Sequence, residues 1–210
     1  MSRILITSGP TRQYLDPVRY LTNASSGRMG SALAAAALAA GHEVVLVSGP
    51  VQIAYPEGAE VHSVISTEEM LKRCQELFPR CDGLIGVAAP SDYRPEKIAI
   101  NKISKTGEPL KLQLIETEDI VATLAKTKGP RWLVGFALET EDPRLRALAK
   151  LQKKSCDLMV LNSIEAMHSQ DNAVEIIDRE GELVAGFEGR KEEVAQRLFQ
   201  LIELRLMRTI

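Results

Sequence analysis

Short β-branched runs and amphipathic stretches take turns along this chain. The segments "RILITSG", "EVVLVSG", "VHSVIS", "DGLIGVAA", "LKLQLIET", "RWLVGFALET" and "DLMVLNS" read as strands. Between them, helical spacing of apolar residues predicts helices over about 26–40, 67–78, from 118–119 onward, 143–154 and 191–208. Strand followed by helix, repeated, predicts an α/β fold, and near-continuous apolar strands are those of a sheet covered on both faces. The expected architecture is a Rossmann-like, doubly wound, mostly parallel sheet. The end differs: "AVEIIDREGELVAGFEG" is two strand-like runs around a Gly-containing turn, which predicts an antiparallel edge hairpin near the C-terminus.

One stretch breaks the alternation. "PSDYRPEKIAINKISKTGEP", at about 90–109, lies between a strand expected to end at Ala89 and one expected to begin near Leu110. It has no clean period, and long loops in compact domains are usually functional or disordered. With no repeat or low-complexity linker, residues 1–210 are expected to form a single domain around one core.

Composition narrows the function. Apolar residues at 45% and charged residues at 26% are ordinary, and aromatics at 4% leave the core to Leu, Val, Ile and Ala. A net charge of -2 provides no basic field for nucleic acid, and the few aromatics offer no row of stacking platforms. No apolar run is long enough for a membrane span or a signal peptide, so a cytoplasmic protein is expected. Cys74, Cys81 and Cys156 have no C-x-x-C spacing and read as buried reduced thiols; His42, His62 and His168 stand apart from them and from one another, which disfavours a His/Cys metal site.

In a doubly wound sheet, ligands bind beyond the carboxyl ends of the strands. The residues of interest there are Gly9 to Thr11, Ser48 to Pro50, Ala88 to Arg94, Phe136 to Thr140, and Asn162 with Ser163. "NASSGRMG" then enters a helix made of small residues. Ser25 and Ser26 stand where N-caps would, Gly27 and Gly30 permit close backbone approach, and the helix start favours an anion such as phosphate. On residues alone, a plain capped helix reads equally well. The loop "KISK" and the helix segment "KLQKK" offer ammonium groups to a polyphosphate, or are ordinary solvated lysines. The missing G-x-G-x-x-G turn and the lack of an acidic residue ending "EVVLVSG" argue against NAD.

Taken in order, "GPTRQYLDPVRYLTNASSGRMG", "VSGPV", "AAPSDYRP", "KISK", "DIVATLA", "VGFALET", "KLQKKSCDLMVLN" and "DNAVEII" resemble the phosphopantothenoylcysteine synthetase (phosphopantothenate–cysteine ligase) family, the synthetase half of the bifunctional coenzyme A biosynthesis flavoproteins. The resemblance covers nearly the whole chain. It implies that 4'-phosphopantothenate is activated by CTP, or by ATP, with Mg2+, giving an acyl cytidylate that the amine of L-cysteine attacks. It implies catalytic roles for Asn23, Lys102 and Lys105, and nucleotide contacts at Ala89, Asp92, Ile115, Glu116, Thr117, Glu118, Phe136, Lys150 and Lys154. It also implies a homodimer, no FMN in this chain, and a separate phosphopantothenoylcysteine decarboxylase in the pathway. Ser104 departs from the family's K-x-K-K loop, where a third Lys is usual. A non-catalytic nucleotide-binding relative is the alternative that this departure motivates.

Overall fold

The computed structural model describes residues 1–139, 142–162 and 171–207. In chain order these form β1 (Arg3–Ser8), β2 (Arg12–Tyr14), β3 (Tyr20–Thr22), α1 (Arg28–Ala39), β4 (Glu43–Ser48), β5 (Glu60–Ser63), α2 (Thr67–Leu77), β6 (Gly83–Gly86), β7 (Tyr93–Pro95) and β8 (Leu114–Glu116). There follow α3 (Ile120–Ala125), β9 (Trp132–Leu138), α4 (Pro143–Lys153), β10 (Leu158–Asn162), β11 (Asp171–Asp178), β12 (Leu183–Arg190) and α5 (Lys191–Ile202). The main sheet has the order β12-β11-β10-β9-β6-β1-β4-β5. From β10 to β5 every neighbouring pair is parallel, and β11 and β12 are antiparallel at the edge. The doubly wound sheet and its C-terminal hairpin therefore match the sequence reading.

Alternate residues of each inner strand serve opposite layers, as the two-residue period of a strand requires. Ile4, Ile6, Val44, Leu46, Ile85 and Val134 pack with α1 and α5 on one face, where these two helices also touch each other. Leu5, Val45, Val47, Leu84 and Leu133 pack with α2, α3 and α4 on the other. The helix α5 supplies Val194, Leu198, Phe199 and Ile202, all buried, and each such side chain contributes about 1.5–3 kcal/mol by leaving water. Among the described residues no helix is long and apolar enough to cross a membrane.

Several boundaries differ from expectation. The helix expected from Ser26 begins at Arg28, because Gly27 takes a left-handed φ of +75° and starts the helix without a side-chain cap. Ser25 and Ser26 are thus not its N-caps. The strand before the long loop ends at Gly86 rather than Ala89, which only bridges Pro10. "LKLQLIET" contributes three residues to a strand, and these pair with β7 instead of joining the main sheet. Its alternating Leu110, Leu112 and Leu114 are the pattern of a half-buried strand, yet they stay 56%, 40% and 41% exposed because no layer covers them. The β2–β3 pair was not expected at all. Thr140, Ser163 and His168 lie outside the described residues.

Candidate active site

The chain winds outward from β1 through β4 to β5, then returns to place β6 on the other side of β1. This reversal opens a crevice at the carboxyl ends of β1, β6 and β9, where connections leave in opposite directions. A cleft of about 300 Å³ lies there, with Thr7, Ala88, Gly135 and Phe136 from the strand ends forming its floor. Asp92, Glu116, Thr117, Glu118, Asp119 and Lys154 form its walls. Six of the expected nucleotide contacts are thereby brought together. Ala89, Ile115 and Lys150 are not part of this lining, although Ala89 sits between two residues, Ala88 and Pro90, that are.

The wall carrying Asp92 is held by a buried hydroxyl cluster. The Ser91 N–H donates to Thr11 Oγ1 at 2.8 Å, and the Ser91 carbonyl accepts from Thr117 Oγ1 at 2.7 Å and Thr67 Oγ1 at 3.2 Å. Thr11 Oγ1 lies 2.8 Å from Thr67 Oγ1, and its own carbonyl accepts from Thr22 Oγ1 at 2.8 Å. Residues from five places in the chain meet at this cluster, so Asp92 and the 115–118 segment are fixed relative to β3. Next to β3, exposed Asn23 donates its Nδ2–H to the Pro90 carbonyl at 2.8 Å and approaches that of Ala89 at 3.4 Å. Asn23 therefore stands at the rim of the cleft.

The two lysines of "KLQKK" meet carboxylates. Lys150 Nζ lies 2.5 Å from Glu139 Oε1, and Lys154 Nζ lies 3.0 Å from Asp119 Oδ2. Asp119 also caps α3, its Oδ1 accepting from the Ala122 N–H at 3.0 Å. Both ammonium groups are thus held in ion pairs.

Lys102 and Lys105 lie on the long loop and are exposed. Ile103, one residue beyond Lys102, is anchored: its N–H donates to Asp16 Oδ2 at 3.1 Å, and its carbonyl accepts from Arg19 Nη2. The Asp16 carboxyl is fully buried. That burial pushes its pKa up, but hydrogen bonds from the Ile103, Val18 and Arg19 amides and the Arg19 charge outweigh it, leaving the pKa at about 2.

The start of α1, where the sequence suggests a phosphate cradle, packs closely on β1. Gly30 faces inward, and a Cβ there would lie 2.2 Å from Ser8 Oγ and 2.6 Å from Ser8 Cβ, so this glycine lets α1 press on β1. Gly27 is buried too, with Val51, Tyr55 and Ser8 around the place its Cβ would take. Tyr55 Oη lies 2.6 Å from Ser48 Oγ and donates to Ser8 Oγ at 3.0 Å, while Ser8 Oγ donates to the Gly27 carbonyl at 3.2 Å. Tyr55 thus ties the ends of β1 and β4 together through their terminal serines. Ser25 Oγ accepts from the Gly27 N–H at 3.4 Å, and Ser26 Oγ approaches the Arg28 N–H at 3.5 Å, which makes both serines turn residues ahead of the helix.

Sequence reasoning missed Asp16 and the ion pair of Asp119; Thr11, Ser91 and Glu139 fall within the stretches it named beyond the strand ends, without their particular partners. Both had a local signal: Asp119 stands where the helix expected from 118–119 opens, and Asp16 precedes a Pro, which favours a turn closed by the Asp side chain, here with Oδ1 accepting from the Val18 and Arg19 amides at 2.8 and 2.9 Å. Among the described residues no three His, Cys, Asp or Glu side chains converge as a metal site.

Residues 1–205 match the family model described as the DNA/pantothenate metabolism flavoprotein C-terminal domain. The chain belongs to this family. Relatives of this flavoprotein C-terminal domain include the coenzyme A biosynthesis bifunctional protein CoaBC of Vibrio parahaemolyticus, 41% identical over 195 residues that cover 90% of this chain and 49% of that protein. The CoaBC of Escherichia coli is 39% identical over 210 residues, covering 96% of this chain and 52% of that protein. The chain thus spans about half the length of these relatives. The crystal structure of the C-terminal domain of a CoaBC superposes with a TM-score of 0.83 at 36% identity, covering 98% of this chain and 96% of that one. A Cab2 mutant in complex with phosphopantothenate-cysteine shares the fold, with a TM-score of 0.82 at 15% identity, covering 98% of this chain and 86% of that one.

Proposed function

We propose that this domain is a phosphopantothenate–cysteine ligase of coenzyme A biosynthesis, joining 4'-phosphopantothenate to L-cysteine through an acyl cytidylate made from CTP. The observation that carries this reading is the cleft at the sheet's winding reversal. It gathers Asp92, Glu116, Thr117, Glu118, Phe136 and Lys154 from distant parts of the chain, with Asn23 at its rim. The CoaBC relatives support the pathway, and the phosphopantothenate-cysteine held by the Cab2 neighbour supports the product.

In the first half-reaction the substrate carboxylate attacks the α-phosphorus of CTP, forming the mixed anhydride and expelling pyrophosphate. In the second, the amine of cysteine attacks the activated carbonyl, CMP leaves, and the amine loses a proton. Lys102 and Lys105 reach in from the loop to offset charge on the phosphates, Lys150 and Lys154 exchange Glu139 and Asp119 for phosphate oxygens, and the Asn23 amide orients the intermediate. Phe136 offers a face to the base or ribose. The cleft is lined by Asp92, Glu116, Glu118 and Asp119 against Lys153 and Lys154. This acidic wall disfavours a bare triphosphate and suits one that arrives with Mg2+, a cation that prefers oxygen ligands and keeps waters.

A homodimer is part of this reading. Val18, Tyr20, Tyr93, Ile98, Leu112 and Leu114 are exposed on or beside the two small sheets, an apolar grouping that a second copy would cover. Sedimentation at micromolar concentration tests it, and a monomer would refute it.

The reaction is tested by pyrophosphate release from purified protein with 4'-phosphopantothenate, Mg2+ and each nucleoside triphosphate, with and without cysteine. Release that favours CTP, with the amide formed only when cysteine is present, is the expected result. Binding without release would favour the second reading, a nucleotide-binding domain without turnover, which Ser104 in the lysine loop motivates.

A further inference from the structure

Beyond β7, the loop carrying Lys102 and Lys105 is tied at Ala99 and Ile103 to one turn, residues 15–19. The Ala99 N–H donates to the Leu15 carbonyl at 2.9 Å, and four residues later both backbone groups of Ile103 are engaged by Asp16 and Arg19. Asp16 Oδ2 serves three donors at once: the Ile103 N–H at 3.1 Å, Arg19 Nε at 3.0 Å and Arg19 Nη2 at 2.8 Å. Its Oδ1 accepts from the Val18 and Arg19 amides at 2.8 and 2.9 Å. The carboxylate is fully buried, while Arg19 is 42% exposed. Only an ionised carboxylate offers enough lone pairs for this set; an amide in its place would present one oxygen and two unwanted donors. Asp16 is not among the cleft-lining residues.

We propose that Asp16 is a positioning residue for the ligase reaction: by clamping Ile103 and Arg19 in one buried cluster, it fixes the root of the loop from which Lys102 and Lys105 reach the phosphates. The inference rests on the ligase reading given above. Adjacent Cα atoms are about 3.8 Å apart, so pinning Ile103 leaves Lys102 with little freedom beyond its own side chain. A loop released at Ile103 would still carry both charges but would seldom present them together, and a small misplacement of a charged group can cost a large factor in rate.

Two measurements on the full chain test this. Trypsin cleaves after lysine, so its cutting rate after Lys102 and Lys105 reports how firmly the loop is held, without any need for activity. In Asp16→Asn, cleavage at these two sites is expected to rise at least tenfold over wild type. In the same variant kcat for pyrophosphate release is expected to fall at least tenfold, with KM for the nucleotide within threefold. A purely structural lesion would instead accelerate cutting throughout the chain and lower the active fraction. Should Asp16→Asn not fold, Arg19→Gln, which removes the donor to the Ile103 carbonyl, is read in the same two assays with a smaller release expected. Unchanged cleavage overturns the clamp, and faster cleavage with unchanged kcat overturns the positioning role. A wild-type chain without ligase turnover refutes the ligase reading and the positioning role with it, while the cleavage ratio still reports whether the clamp exists.

Discussion

Replacing Gly30 with Ala separates two readings of the small-residue start of α1. In the structure a Cβ at this position would stand 2.2 Å from Ser8 Oγ, 2.6 Å from Ser8 Cβ and 3.4 Å from Ser8 Cα. Rotating Ser8 relieves only the first contact, so the helix must also lift from β1. The rotation gives up the bonds of Ser8 Oγ with the Gly27 carbonyl and Tyr55, costing about 1–3 kcal/mol for the pair. The lift adds about 1–3 kcal/mol of overpacking strain. Against these stands about 1 kcal/mol from the better helix propensity of Ala. The net is a destabilisation of about 1–5 kcal/mol, or a fall in Tm of about 2–20 °C at this chain length. Urea unfolding of Gly30→Ala, Ser8→Gly and the double variant measures it. In the Ser8→Gly background, which lacks the clashing atoms, the cost of Gly30→Ala should drop below about 0.5 kcal/mol. If Gly30→Ala is instead as stable as wild type, the packing role is wrong and this glycine is free to serve a ligand.

Three further outcomes are expected. Asn23→Asp replaces an amide donor with a carboxylate facing the Ala89 and Pro90 carbonyls; turnover should fall at least tenfold while stability, measured by urea titration, changes by less than about 1 kcal/mol at this exposed site. The Asp16 pKa is lowered from 3.8 to about 2, so its contribution is full above pH 4 and is lost as pH falls towards 2. The stability gap between wild type and Asp16→Asn should close over that window, and a gap constant down to pH 2 would contradict the assignment. Burial pushes the thiols of Cys74 and Cys156 up to about 12 and 11; at pH 8 both should react with a thiol reagent only as fast as the protein unfolds, and rapid labelling of either in folded protein would count against their burial.

The parts of the fold that the sequence revealed are those with a repeating pattern. The buried strands announced themselves as apolar runs, and the C-terminal hairpin by its Gly-containing turn, where Gly181 adopts a φ of +83°. The three-residue strands β2, β3, β7 and β8 are too short to show a period, and Leu110, Leu112 and Leu114 imitated a covered strand because alternation does not say whether a second layer exists. At the site, Asp92 and Phe136 were legible because ligands gather beyond strand ends. The pairing of Lys150 with Glu139 and of Lys154 with Asp119 was not, since each pair joins side chains that only the tertiary fold brings together. For Ser25, Ser26, Gly27 and Gly30 the sequence left two readings open for a related reason: the same letters write an anion-binding helix start and a tight helix–strand contact, and only the tertiary fold brings Ser8 and Tyr55 against Gly27 and Ser8 against Gly30.

The contact between α1 and α5 sets a timetable for the nascent chain. The helix α1 ends at Ala39, whereas its neighbour on the same layer is complete only at Ile202. At typical elongation rates of about 5–20 residues per second, roughly ten to thirty seconds pass before α5 emerges to cover its side of the sheet. During that interval the layer built on Ile4, Ile6, Val44 and Leu46 is only half roofed, while α2, α3 and α4 close the opposite layer as they are made. A ribosome stalled before Lys191 would therefore hold a chain with one finished side and one adhesive one. Chaperone capture should peak at such lengths and fade once the final helix clears the exit tunnel.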